Sequence, residues 1–194
     1  MKNIEKNNSL IMKKSIFVAV FSFLVLASFG QRKKDLTPPD VPYDSTTNQI
    51  VYQEVVLQEG SQAELFDRAM DWIKAYYKNT SEVINKADKE EGQILCSSKV
   101  KIYSTAKGGT RIMSGMVNYK LAIEIKDGRY RYTFDRFALK ARSWSPIEAW
   151  LDPTKKEWFP QRYDNLMEVD QQVKEIISSL KEAMVKKEEK IDEW

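Results

Sequence analysis

The chain has 194 residues, of which 42% are hydrophobic and 11% aromatic, enough to build one core, and 31 Lys and Arg stand against 28 Asp and Glu. It contains no His. That excludes a Ser-His-Asp triad, a Cys-His dyad, an imidazole general base and any zinc site that uses His, and a single Cys excludes an intramolecular disulfide.

The first segment reads as an export signal. Residues 15–28 (SIFVAVFSFLVLAS) form an uncharged, mostly apolar run preceded by Lys13 and Lys14 and followed by Phe29 and Gly30. The run falls short of the roughly 20 residues a membrane span needs. We therefore expect residues 1–30 to be a signal peptide cleaved after Gly30, with Met12 an alternative start to Met1. Its loss removes Lys2, Lys6, Lys13, Lys14 and Glu5, which leaves 27 basic and 27 acidic residues. A nucleic-acid partner is not expected of a balanced, exported chain. No Cys follows the apolar run to carry a lipid, so the expected destination is periplasmic or secreted, soluble and without a stable membrane span after cleavage.

Residues 31–49 are polar, contain Pro38, Pro39 and Pro42, and read as a flexible leader. Ile50 to Leu57 is β-branched and reads as a strand of ambiguous facing. Ser61 and Glu64 have capping-box spacing, and Leu65, Phe66, Ala69, Met70, Trp72, Ile73, Tyr76 and Tyr77 follow at helical spacing. A polar connection, residues 85–92, leads to a strand over Gln93 to Ser104, in which Ile94, Cys96, Val100 and Ile102 share the face expected to be buried. After Gly108-Gly109 a strand over Ser114 to Lys126 alternates Val117, Tyr119, Leu121, Ile123 and Ile125 with polar residues. Asp127-Gly128 is a type I′ hairpin signal, which sets Lys126 opposite Arg129, Ile123 opposite Tyr132 and Lys120 opposite Asp135. The apolar phase then switches, since Phe137 and Leu139 occupy odd positions. A β-bulge near Asp135 and Arg136 is expected.

Residues 143–163 lose all period and hold three Trp and three Pro, an irregular aromatic loop. A second helix is expected from an N-cap at Asp164, with Leu166, Val169, Val173, Ile176, Ile177, Leu180 and Met184 on one stripe. Residues 186–194 (KKEEKIDEW) form a charged end. The expected fold is a two-layer α+β sandwich over residues 50–185, with four to five antiparallel strands and both helices on one face.

The strand IVYQEVVLQEG leading into SQAELFDRAMDWIKAYY, and the hairpin YKLAIEIKDGRYRYTFDRFAL, resemble an exported bacterial family carrying a domain of unknown function with a TBP-like fold (domain of unknown function 4468). The resemblance covers about residues 49–180. It implies a helix-backed sheet shaped like the TATA-binding protein, with a further strand before the last helix, and no assigned activity.

Two surfaces are candidate sites. The face of the sheet away from the helices carries Lys99, Lys101, Asn118, Lys120, Glu124, Arg129, Arg131, Thr133 and Asp135, and suits an extended or anionic partner. Its cross-strand pairs, Glu124 with Arg131 and Lys120 with Asp135, predict that these charges satisfy one another. The aromatic loop offers Trp144, Trp150, Trp158, Phe159 and Tyr163 as a platform for sugars or an anchor for a protein partner; the competing reading packs these rings into the structure. Two Ser-x-x-Lys spacings, Ser98 with Lys101 and Ser178 with Lys181, lack the companion motifs of serine hydrolases. No catalytic residue, metal ligand or cofactor site is assigned. The leading expectation is a non-catalytic binding or scaffolding module for an envelope protein or glycan. The alternatives are a carboxylate-based hydrolase of an envelope polymer and a homo-oligomer formed through strand edges.

Overall fold

Two strands and a two-residue turn set the frame of the molecule. β6 (Arg111–Lys126) and β7 (Arg129–Lys140) pair antiparallel across Asp127-Gly128, with Lys126↔Arg129, Ile125↔Tyr130, Glu124↔Arg131, Ile123↔Tyr132, Ala122↔Thr133, Leu121↔Phe134 and Lys120↔Asp135. Gly128 takes a positive φ of 73° but Asp127 does not, so the two-residue turn closes the hairpin without the type I′ geometry expected at both positions. Because side chains alternate with period two, this register puts Tyr119, Leu121, Ile123, Ile125, Tyr130, Tyr132 and Phe134 on one buried face.

The computed structural model describes residues 37–106, 108–140 and 144–185. The elements belong to the compact unit that starts at Pro38. In chain order they are β1 (Tyr43–Asp44), β2 (Gln49–Ile50), β3 (Tyr52–Leu57), α1 (Gln62–Tyr76), α2 (Thr80–Val83), β4 (Ile84–Asp88), β5 (Gln93–Thr105), β6, β7, β8 (Trp144–Pro146), a 3₁₀ turn (Ile147–Leu151) and α3 (Gln161–Met184). The main sheet runs β3-β7-β6-β5-β4, and β8 pairs with the far end of β7. Six strands, rather than four to five, make the antiparallel layer of this α+β fold.

Both long helices cover one face. α1 begins with the capping box read from the sequence: the Ser61 side chain accepts from the Glu64 amide, and the Glu64 carboxylate accepts from the Ser61 amide at 2.8 Å. It buries Leu65, Phe66, Ala69, Trp72 and Ile73, and α3 buries Leu166, Val169, Val173, Ile176, Leu180 and Met184. The two touch where the Trp72 indole N–H donates to Ser179 Oγ at 3.1 Å. At the end of α1, Tyr77 meets Tyr119 of β6 hydroxyl to hydroxyl at 2.9 Å inside the core.

Several expectations are corrected. β4 falls in a stretch read as a polar connection; it is an edge strand, and its Lys86 pairs with Glu91 and Asp88, the charged dressing that keeps an edge from pairing further. The strand missing before the last helix is β8, whose three residues, one of them Pro, are too few to show a period. α3 starts at Gln161, not from an Asp164 cap; the ring of Pro160 fixes φ at −51° and presets the first turn, in which Asp164 supplies negative charge at the helix start. Residues 41–49, read as leader, join the folded unit: Val41 is buried, and β1 pairs with β2 through Tyr43↔Ile50 and Asp44↔Gln49. The signal segment 1–30, residues 31–36 of the leader and the charged end lie outside the described residues.

The facing of β3 is also settled. Glu54 opposes Tyr132 on the helix side, where its Oε2 accepts from Tyr132 Oη and Lys181 Nζ, both at 2.6 Å. Chiefly the Lys181 bond, then that of Tyr132, holds the Glu54 carboxyl below its ordinary range. Val55 and Leu57 therefore face outward, 55% and 79% exposed.

Two stability outcomes follow from this packing. Tyr77→Phe leaves the Tyr119 hydroxyl short of a partner in the core and is expected to cost about 1–2 kcal/mol in urea unfolding, with the double change to Phe costing less than the two single changes added together; strictly additive costs would show that the hydroxyls do not depend on each other. At Gly92, φ is +63° and an added Cβ would lie 2.3 Å from the Ile125 carbonyl oxygen, whereas at Gly128 it would meet open space. Gly92→Ala should lower stability clearly more than Gly128→Ala, whose cost is roughly the 1–2 kcal/mol of a left-handed residue; equal losses in parallel melts would refute the close approach.

Candidate functional site

The β-bulge expected from the phase switch in β7 is present. Asn118 pairs with Ala138 but Lys120 with Asp135, so Tyr119 faces both Arg136 and Phe137. Arg136 takes a left-handed φ of 52°, and the one other non-glycine residue among those described with positive φ is Asn48, at 54° in the β1–β2 turn. The bulge lets Asp135 stay on the open face while Phe137 turns into the core, where its ring meets Tyr52 edge-on at 5.7 Å.

Both strained residues line one groove of about 520 Å³, together with Gln49, Trp144, Pro146 and Glu148. Arg136 also lines a recess of about 320 Å³ on the open face with Asn85, Leu95, Lys120, Ala122 and Asp135. Left-handed backbone at a non-glycine residue costs of order 1–3 kcal/mol and clusters at functional sites. The groove floor is held in place from below, since the Ile50 amide donates to Glu148 Oε1 at 3.1 Å.

The charges of the open face fall into two groups. At the turn end, Arg131 donates to Glu124 through Nε at 2.8 Å and Nη2 at 2.5 Å, as the register predicts. At the bulge end the expected Lys120–Asp135 pair does not close. Lys120 instead donates to Ser97 Oγ at 2.6 Å, and Ser97 donates to Asn85 Oδ1. Burial raises the Asp135 carboxyl above its ordinary range, opposed by the positive charges of Arg136 and Lys120. Lys99, Lys101 and Lys140 are exposed, and no carboxylate among the described residues lies within ion-pair distance of them.

The five aromatic candidates separate. Trp150 and Tyr163 are buried, at 3% and 5% exposure, and belong to the core. Trp158 is half-buried and meets Tyr163 edge-on at 5.1 Å. The Arg162 guanidinium lies over Trp150 at 4.4 Å and over Phe159 at 4.5 Å, and burial lowers its pKa. Trp150, Trp158 and Tyr163 pack beside the start of α3, while Phe159 is 45% exposed under the Arg162 guanidinium. Trp144 alone stands on the open face, in β8 opposite Lys140 and 60% exposed. Arg136, Asn48 and Lys140 were not singled out from the sequence as site residues; the phase switch in β7 marked the position of Arg136 but not its part in a groove.

Nucleophile chemistry finds no support in the packing. Ser178 Oγ donates to Glu182 rather than meeting Lys181, and burial pushes the Cys96 thiol up to about 11. No cluster of three or more metal-ligating residues occurs among the described residues, and none of their helices is long and apolar enough to cross a membrane.

The fold has known relatives. The family described as "Domain of unknown function (DUF4468) with TBP-like fold" matches residues 43–140. A TBP-like protein from Parabacteroides distasonis superposes with a TM-score of 0.58 at 17% identity, over 77% of this chain and 97% of that one. A DUF4468 family protein from Bacteroides ovatus gives 0.59 at 15% identity, over 79% and 94%. At such identities the likeness is one of fold. No curated protein matches the chain in sequence. Since its family signature spans β1 to β7, the frame of the sheet and the bulge included, the chain belongs to the DUF4468 family with TBP-like fold.

Proposed function

We propose that this protein is an exported, non-catalytic binding module that engages an envelope glycan or protein through the groove beside Trp144. The observation that carries the reading is an exposed indole beside two left-handed, non-glycine residues lining one open groove. A flat apolar ring with a polar edge on a rigid strand binds a sugar face or a partner side chain at low entropic cost. The alternative, a carboxylate hydrolase, needs two acids in one cavity with one of them raised. Asp135 is raised, yet the charged side chains lining its recess are cations, Lys120 and Arg136. That setting suits holding a charge more than moving a proton.

Titration of the full chain with envelope polysaccharides, peptidoglycan fragments and envelope proteins should give a saturable change in Trp emission with at least one class, and Trp144→Ala should weaken that binding at least tenfold without shifting the thermal midpoint. Emission unmoved by every titrant, or an affinity indifferent to Trp144→Ala, would refute the groove as the site. Export has its own check: protein recovered from the periplasm or medium should begin at Gln31, and a product retaining residues 1–30 would overturn that part of the proposal.

A further inference from the structure

Charge in this molecule is segregated by layer. β5, β6 and β7 carry nine Lys and Arg and two acids, Glu124 and Asp135, while α1 and α3 carry eight acids and five bases. The chain carries a net charge of +3, and its central strands are more positive than its helices. On the open face Glu124 is occupied by Arg131 at the turn end, where Lys126 and Arg129 have no described ion-pair partner. At the bulge end Lys99, Lys101 and Lys140 are likewise without a described ion-pair partner.

Their arrangement is set by the register. Lys101 pairs with Met116, Val117 with Leu139, and Lys140 with Trp144. An added Cβ at Gly115 would meet the Leu139 and Ile102 side chains, which places Leu139 on the helix side and hence Lys140 and Trp144 on the open one. Strands lie about 4.8 Å apart, so Lys101 and Lys140 stand roughly 10 Å from each other across β6, with the indole one strand beyond and Lys99 about 7 Å from Lys101 along β5. The row crosses the strands. A peptide adding to a sheet follows one edge and uses free backbone, whereas this row runs across β5, β7 and β8, although β4 leaves the outer edge of β5 without a strand partner beyond Cys96.

We infer that this quarter of the open face binds an acidic polysaccharide, its carboxylates on Lys99, Lys101 and Lys140 and one sugar ring on Trp144. The inference rests on the groove reading above and names the ligand class for it. Charge complementarity selects a polyanion, and the exposed indole at the end of the cation row selects rings with an apolar CH face over an acidic peptide. Asn118, beside Lys99 in register, adds a neutral partner for hydroxyls. Duplex DNA is a weaker fit, because Glu124 and Asp135 interrupt the cations along this face.

The test uses the full chain with polygalacturonate, its methyl ester, poly-glutamate and duplex DNA as probes. Polygalacturonate should bind, weaken about tenfold or more when salt rises from about 0.05 to about 0.5 M, and bind at least tenfold better than the ester. Lys99→Gln, Lys101→Gln and Lys140→Gln together should cost about tenfold for the acid form and nothing for the ester, while Lys126→Gln with Arg129→Gln at the turn end should leave both unchanged. Equal binding of acid and ester, no effect of the triple change, an equal loss from the turn-end pair, or poly-glutamate or DNA binding as tightly as the uronate would each overturn the inference. Absence of polygalacturonate binding would do the same. Binding of a neutral glycan or protein that Trp144→Ala abolishes would then show that the groove reading survives without it, whereas Trp144→Ala indifference across all titrants would sink the groove reading itself.

Discussion

One extra residue in β7 decides which side chains the open face presents. Along a regular strand the side after Asp135 would alternate without interruption, and Phe137 would point to solvent with Ala138 beneath the helices. Arg136 absorbs one position in a left-handed conformation, so Phe137 enters the core and Lys140 takes the open side. β8 pairs with this displaced segment, and Trp144 inherits its side from Lys140. The indole, the lysine row and the two cavities around Arg136 thus depend on a single backbone choice, one whose cost is offset by burying a Phe ring, which typically contributes about 1.5–3 kcal/mol.

The sandwich has one dry layer. α1 and α3 seal the helix side with aliphatic and aromatic side chains; among the polar groups admitted there, Tyr77 bonds Tyr119, Trp72 bonds Ser179 and Tyr52 bonds Asp170 at 3.0 Å, whereas Tyr130 Oη and Asn165 Oδ1 are buried without a hydrogen-bond partner among the described residues. Burial pushes the Tyr119 hydroxyl up to about 12, in keeping with a neutral donor and acceptor. At the margin of the layer Glu54 accepts a tyrosine and a lysine, so β3 is pinned to α3 by a partly exposed contact that adds little stability and much position. None of the described helices lies over the opposite side of the sheet, which carries charge.

Much of the fold was legible because it rests on local rules. The capping box at Ser61, the position of the Asp127-Gly128 turn, the residue-by-residue hairpin register and the bulge all come from spacing, and the structure reproduces each. What escaped was short or disguised. β8 has three residues and β1 and β2 two each, below the length at which a period shows; β4 has an edge strand's polar dress; α3 is started by a proline where an acidic cap three residues later looked sufficient. The site was legible only in part. Five aromatic residues shared one irregular segment, yet tertiary packing set three of them beside the start of α3, left Phe159 exposed under Arg162 and placed Trp144 on the sheet, a division no spacing within residues 143–163 encodes. Cross-strand pairing likewise predicted that opposed charges would meet. It held for Glu124 and Arg131 in a regular stretch and failed for Lys120 and Asp135 beside the bulge, where the strand turns and Lys120 finds Ser97 instead.

A near-zero balance of charge therefore says little about what such a protein attracts. Net charge sets solubility and the far field, but a ligand within a Debye length of about 8–10 Å responds to the few groups it faces. Here α1 and α3 carry eight acids, several of them in pairs such as Lys174–Asp170 at 2.7 Å, while Lys99, Lys101 and Lys140 lie on the sheet, a layer away. An uncompensated row of like charge is unfavourable to the folded state on its own account. A protein can reduce that cost by placing an acid beside it, as the turn end of the same face does with Glu124. At the bulge end the acid, Asp135, lies beside Lys120 and Arg136, while the neighbours of Lys99, Lys101 and Lys140 in register are an asparagine, a methionine and a tryptophan, the spacing from which the anion-binding proposal is argued.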